Sequence, residues 1–216
     1  MAGLKKISEL TLWDMIRFPR LYASLSTDLV KLPLPETLTV NKKILTIPKD
    51  INEFSDSICY GQRLYFTKKE ENDYSLIIRY CAGYFQPMYD KQLWSESKVL
   101  LFVKKIVTCK AIHLYPIAMH LISLMGEVAD REKELLHREP TKMELAAGIE
   151  KLNIFAELNS LDFLRDAMKI TVPEVLQTPY NECLVRFMNA KEINDFQLRY
   201  VELQRIDSET KNKFQK

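Results

Sequence analysis

Glycine is scarce in this chain, and its scarcity excludes a large block of chemistry. The five glycines are Gly3, Gly61, Gly83, Gly126 and Gly148. No two lie close enough in sequence to wrap backbone amides around a phosphate, so neither a Walker loop nor a dinucleotide fingerprint is present. Cysteine is sparse too: Cys59, Cys81, Cys109 and Cys183 are widely spaced and never form Cys-x-x-Cys. That spacing signals neither a zinc ribbon nor a redox pair and fits free, buried thiols in a reducing cytoplasm. An excess of either charge is also missing, with 31 Lys and Arg against 29 Asp and Glu. Phosphate-neutralising proteins usually carry a strong basic excess. Only a local run, Lys91, Lys98, Lys104, Lys105 and Lys110, opposed mainly by Glu96, offers a basic face. Its candidate DNA-facing members are Lys98, Lys104, Lys105 and Lys110.

Long apolar runs are lacking. Ile7 to Phe18 carries Glu9, Asp14 and Arg17, so it has no signal-peptide core. Leu114 to Met125 is interrupted by Pro116 and His120 and falls short of the ~20 residues that span a bilayer. On length, the sequence predicts no membrane insertion.

Catalytic and metal constellations are equally thin. Cys109, His113 and His120 fall at i, i+4 and i+11 and would share a helix face, but Pro116 intervenes and no fourth ligand is at hand. Packing is the simpler reading for all three. His113, His120 and His137 provide bases, yet no Gly-x-Ser-x-Gly nucleophile signature accompanies them. Glu127, Asp130 and Glu134 alternate with Arg131, Lys133 and Arg138, as on a solvated, salt-bridged helix face. These absences predict no cofactor, no metal and no enzyme, and point to a protein that works by contact with other chains.

What is present is a foldable sequence. With 216 residues and 47% hydrophobic content, the chain can bury a core without staples. The spacing of apolar residues predicts a mainly α protein: a helical bundle-like body, a small β-hairpin near residues 38–47 and a frayed C-terminal tail. Provisional divisions fall at 1–37, an N-terminal helical arm; 38–90, the hairpin with a tyrosine-rich helical part; 91–205, a helical body; and 206–216, a polar tail.

Ser8 is the expected cap of a first helix, with Pro19 breaking it and a second helix over Leu21 to Val30. Leu38, Val40, Leu45 and Ile47 alternate around Asn41-Lys42-Lys43 and read as the hairpin. Ser55 is expected to open a helix through Tyr65. After a loop over Lys68 to Asp73, a helix capped by Asp73 would end at Pro87, and one long helix would run from Gln92 to Arg138, kinked at Pro116. Thr141-Lys142-Met143-Glu144 and Thr171-Val172-Pro173-Glu174 are capping boxes; the first opens Met143 to Leu158, and the second opens a short helix. A last helix spans Tyr180 to Arg205, with Leu184, Phe187, Met188 and Phe196 turned inward.

Tyrosines crowd one stretch, among them Tyr60, Tyr65, Tyr84 and Tyr89. A tyrosine has one apolar and one polar end, so the cluster suits either a contact surface or a core edge. Leu38, Val40, Lys42, Leu45 and Ile47 of the hairpin join those four as candidate protein contacts, because an isolated hairpin is marginal until it packs or pairs.

Two segments carry a resemblance. One runs from Leu38 to Ile51 and leads to Tyr60-Gly61-Gln62. The other runs from Glu139 to Leu152 and continues through Leu161-Asp162-Phe163-Leu164, Glu174-Val175-Leu176 and Pro179-Tyr180 to Phe196-Gln197-Leu198-Arg199-Tyr200. Together they resemble a virion-associated protein of crAss-like bacteriophages. The chain departs from similar sequences at the hairpin turn, where a glycine is usual and Asn41-Lys42-Lys43 stands instead.

The resemblance implies a structural ring or adaptor protein between portal and tail, located in the virion and made in the host cytoplasm. Its partners would be itself, as a dodecameric cyclic homo-oligomer matched to a portal, the portal and other tail ring proteins, with passing DNA as a non-specific contact. The hairpin and the N-terminal helix would then be the arms that reach a neighbour. A non-virion tail assembly chaperone or scaffold, or a helical nucleic-acid-contacting protein, shares the same motif-free character.

Overall fold

Thr11, rather than Ser8, opens the first α-helix. In the computed structural model, which describes residues 6–68, 72–149, 151 and 156–214, α1 spans Leu12–Arg17. Its N-terminus is a reciprocal cap: Thr11 Oγ1 accepts from the Asp14 amide at 3.2 Å, and the Asp14 carboxylate accepts from the Thr11 amide at 3.0 Å. Both donors would otherwise be orphaned. Pro19 begins α2 (Pro19–Tyr22), where its missing N–H costs nothing. The expected helix over 21–30 is therefore split into α2, a 3-10 turn at Ala23–Leu25 and α3 (Ser26–Leu29).

β1 (Thr37–Val40) and β2 (Lys43–Thr46) pair antiparallel, with Thr37 opposite Thr46 and Val40 opposite Lys43. Asn41 and Lys42 have φ of 45° and 67°, so the connection is a tight two-residue turn despite its lack of glycine. Asn tolerates the left-handed region, and Lys42 bears the steric cost.

Asp50 caps α4 (Ile51–Ser57), accepting from the amides of Asn52 and Glu53 at 2.9 and 3.0 Å, so this helix starts before the expected Ser55. A separate α5 (Tyr60–Phe66) follows. Asn72, not Asp73, caps α6 (Asp73–Asp90). Pro87 lies inside α6 and does not end it. A proline leaves the carbonyl four residues earlier without its amide, and that carbonyl, Gly83 O, accepts instead from Gln62 Nε2 at 2.9 Å.

The long helix expected from Gln92 to Arg138 is two: α7 (Glu96–Ile106) and α8 (Ala111–Leu136). The break arises because a distant segment takes the backbone groups there. Trp13 N donates to Val107 O at 2.8 Å, Leu12 N to Cys109 O at 3.1 Å, and Ala111 N to Leu10 O at 2.8 Å. Pro116 sits buried within α8 rather than at a break.

Both predicted capping boxes are formed, at Thr141 for α9 (Lys142–Ala146) and Thr171 for α11 (Val172–Gln177). The helix expected over 143–158 crosses positions outside the described residues; α10 occupies Ala156–Met168. Helix α12 runs from Tyr180 to Phe214, past the expected end at Arg205.

The fold is mainly α with one small hairpin, built around α8. Leu114, Ile117, Ala118, Leu121 and Val128 of α8 are fully buried and meet residues from Leu10 to Leu184 in one core. Residues 1–37, 38–90 and 91–205 all contribute to it, so these divisions share a core. A smaller cluster joins Tyr60, Leu164, Val175 and Cys183. Beside it, a backbone clasp closes: Tyr60 N donates to Thr178 O at 2.9 Å and Tyr180 N to Ile58 O at 3.0 Å.

Helix α8 also corrects the membrane argument from length. At 26 residues it is long and apolar enough to cross a bilayer. What speaks against a span is that its apolar side chains form the centre of this chain's own core.

Candidate functional site

The hairpin's apolar residues are used within the chain. Leu38, Val40, Leu45 and Ile47 are each at most 4% exposed and belong to the main core, so they are corrected from candidate contacts to packing residues. Alternation places the other face outward, and there Lys42 and Ile44 are exposed, Ile44 by 71%. The N-terminal segment is likewise no free arm, since Leu10, Leu12, Met15, Tyr22 and Leu29 are buried.

The tyrosine stretch resolves as core. Tyr60, Tyr65, Tyr84 and Tyr89 are all buried and therefore corrected as well. Their rings knit α4, α5 and α6 together: Phe54 stacks on Tyr84 at 5.5 Å, Phe66 on Tyr80 at 5.0 Å, and Tyr65 meets Trp94 edge-on at 5.8 Å. The polar end of Tyr84 is met inside, with its Oη and Ser57 Oγ 3.0 Å apart. Burial pushes the Tyr84 hydroxyl up to about 12, so it stays neutral.

The lysine face is divided. Lys104 and Lys110 are exposed, whereas Lys98 and Lys105 are half-buried. Lys105 Nζ sits 4.2 Å from the Tyr89 ring centroid, where Lys43 Nζ approaches at 4.3 Å, and Lys98 Nζ donates to Leu93 O at 3.4 Å. Half of the proposed DNA-facing set is thus engaged in folding the hairpin and the α6–α7 connection.

Among the described residues, the titratable side chains form no catalytic grouping. Burial raises all four thiols, Cys109 to about 11 and Cys183 to about 12, so none is a ready nucleophile near neutral pH. Cys109 lies in the α7–α8 break, outside the helix that carries His113 and His120, and His120 Nε2 lies 2.7 Å from Pro48 O. Among the described residues, no three His, Cys, Asp or Glu side chains gather where they could hold a metal ion. Glu127, Asp130 and Glu134 are exposed on α8, as a solvated face requires. Their neighbour Glu132 turns inward and receives Arg63 Nε at 2.9 Å, joining α5 to α8.

A cleft of about 750 Å³ opens beside the clasp, lined by Asp56, Cys59, Gln62, Lys91, Trp94 and Lys98 among others. It holds no activated nucleophile, because burial keeps the Cys59 thiol protonated.

Among the described residues, a larger set of uncovered apolar side chains lies elsewhere. On α12, Leu184 is buried and Phe187 and Met188 are half-buried as expected, but Phe196 is 61% exposed instead of inward. Ile193, Tyr200 and Leu203 share its face and are each more than half exposed. Lys191 Nζ, donating to Leu135 O at 3.0 Å, anchors the helix just before this stretch. Beyond it, the helix is held by its own surface pairs, such as Arg205 with Glu202 and Glu209. A second open set lies at Leu93, Leu100 and Leu101, exposed by 69%, 64% and 66%. The sequence spacing places Leu184, Phe187, Met188 and Phe196 inward but does not show where the body stops covering α12; Leu100 and Leu101 lie outside the apolar stripe of Val99, Phe102, Val103 and Ile106 that the spacing marks on α7. No family model matches this chain, and no curated protein and no solved structure is significantly similar to it.

Proposed function

We propose that this chain is a structural protein of a tailed phage that joins or forms a ring between portal and tail. The phage assignment rests on the resemblance in Leu38 to Ile51 and Glu139 to Leu152. The assembly role rests on one observation: after the core is filled, α12 and α7 still carry large apolar side chains in water. Contiguous exposed apolar surface of this kind usually marks a protein contact. The role needs no catalytic group and agrees with raised thiols and a solvated acidic face.

Mass spectrometry of purified particles tests the reading. A structural component is present in amounts proportionate to the portal, and coexpression with portal and tail proteins yields rings by negative-stain imaging. Absence from particles, or failure to join any of these partners, would overturn it, and absence alone would favour an assembly chaperone.

A further inference from the structure

We infer that copies of this chain associate head to tail, with the outer half of α12 in one copy lying on the α7 face of the next. This rests on the assembly reading above and names the surfaces that carry it. Beyond Lys191, α12 continues for about 34 Å to Phe214, at 1.5 Å per residue. Ile193, Phe196, Tyr200 and Leu203 follow at steps of three, four and three, so they share one side of this rod, while the bare Val201 and Ile206 lie on other sides. The first four are exposed by 51%, 61%, 53% and 65%. The outward face of α7 offers Leu100 and Leu101, with Leu93 just ahead of the helix. Helix α12 packs on α4, α5, α8 and α10, whereas α7 packs on α6, so the two patches belong to different parts of the fold.

Charge decides between this pairing and a pairing of α12 with α12. From Glu192 to Phe214, five carboxylates face two guanidiniums and two ammoniums, which leaves −1. From Lys91 to Lys110, five ammoniums face the single carboxylate of Glu96, which leaves +4. Two α12 rods gain no charge attraction for each other; an α12 rod is drawn to the basic α7 segment. The basic run thereby acquires a protein partner.

Area sets the strength. With roughly 200 Å² for each fully open side chain, the α12 stripe presents about 500 Å² and the α7 patch about 400 Å². Their sum of about 900 Å² lies below the ~1,200 Å² of a standard specific interface. One contact is therefore weak. A head-to-tail contact uses two different patches, leaves one of each unsatisfied at the ends, and becomes stable when the chain of copies closes on itself.

The test uses the full-length chain and two variants at exposed positions, Phe196→Glu on α12 and Leu101→Glu on α7, with circular dichroism to verify the fold. Sedimentation velocity of the parent is expected to show mass rising with concentration, and the rise should shrink in high salt. Each variant alone should shift that association by more than tenfold. Mixed in equal amounts, they should form a pair and nothing larger, because only one intact patch of each kind remains. A parent that stays monomeric, a mixture that stays monomeric, or a Leu101→Glu variant that still dimerises through α12 overturns the inference. Tyr200→Glu and Leu100→Glu replace either variant that misfolds. Particle composition is independent of these masses: monomeric behaviour refutes the pairing, while absence from particles refutes the ring reading.

Discussion

One substitution, glycine to alanine, should have opposite effects at two helical positions of this protein. A Cβ at Gly61 would lie 2.6 Å from Trp94 Cζ3, 2.9 Å from Trp94 Cε3 and 2.8 Å from the Leu176 carbonyl oxygen. The oxygen belongs to the α11 backbone and cannot turn aside, and the Trp94 ring is braced by Tyr65. Alanine gains about 0.8 to 1 kcal/mol of helix propensity, while overpacking a tight site costs about 1 to 3 kcal/mol. Since three contacts are violated at once, the cost wins, and Gly61→Ala should lose about 1 to 2 kcal/mol. At Gly126, inside α8, a Cβ meets nothing within 4 Å. Only the propensity gain remains there, so Gly126→Ala should add about 0.8 kcal/mol. Thermal unfolding followed by circular dichroism should show Tm falling by about 3 to 6 °C for the first and rising by about 2 to 3 °C for the second, with urea titration giving the same order. A Gly61→Ala protein as stable as the parent would refute the packing of α5 against Trp94 and α11. A Gly126→Ala protein that loses stability would refute the open setting of α8 there.

Three further outcomes follow from the same geometry. Lys42→Gly removes a left-handed side chain from the hairpin turn and should stabilise by about 1 kcal/mol in urea titration; a loss would contradict the observed turn. The buried thiols Cys81 and Cys183 should react slowly with an aromatic disulfide at pH 8 and quickly in denaturant, because burial raises each of them, so fast native reaction at either would disprove its burial. Glu144 is held down to about 2 by the Arg138 guanidinium and the Thr141 cap. Its support for α9 is thus complete above the ordinary 4.5 and lost as pH falls towards 2, which carboxyl NMR can follow; a midpoint near 4.5 would contradict the pairing.

Local chemistry was legible in the sequence wherever the partners are a few residues apart. The Thr141 and Thr171 capping boxes and the alternation of the hairpin depend on neighbours, and both were readable. Pro87 was misleading because its relief comes from Gln62, on another helix. The break between α7 and α8 was invisible for the same reason, since residues 10–13 bring it about. The tyrosines had two readings, and only tertiary packing could choose the core. For the contact surface, spacing groups Phe196 with the inward Leu184, Phe187 and Met188, but coverage is a property of the whole fold, and the body ends before it reaches Phe196.

The clasp between Ile58 and Tyr180 also has a temporal consequence. Tyr60 and its neighbours leave the ribosome about 120 residues ahead of Tyr180, an interval of about 6 to 24 s at ordinary elongation rates. During that wait the amide of Tyr60 has no Thr178 carbonyl to meet, while Leu164, Val175 and Cys183 have yet to be made. The aromatic packing of α4, α5 and α6 can settle first, while the small second cluster and the Tyr180 and Leu184 edge of the main core are completed late.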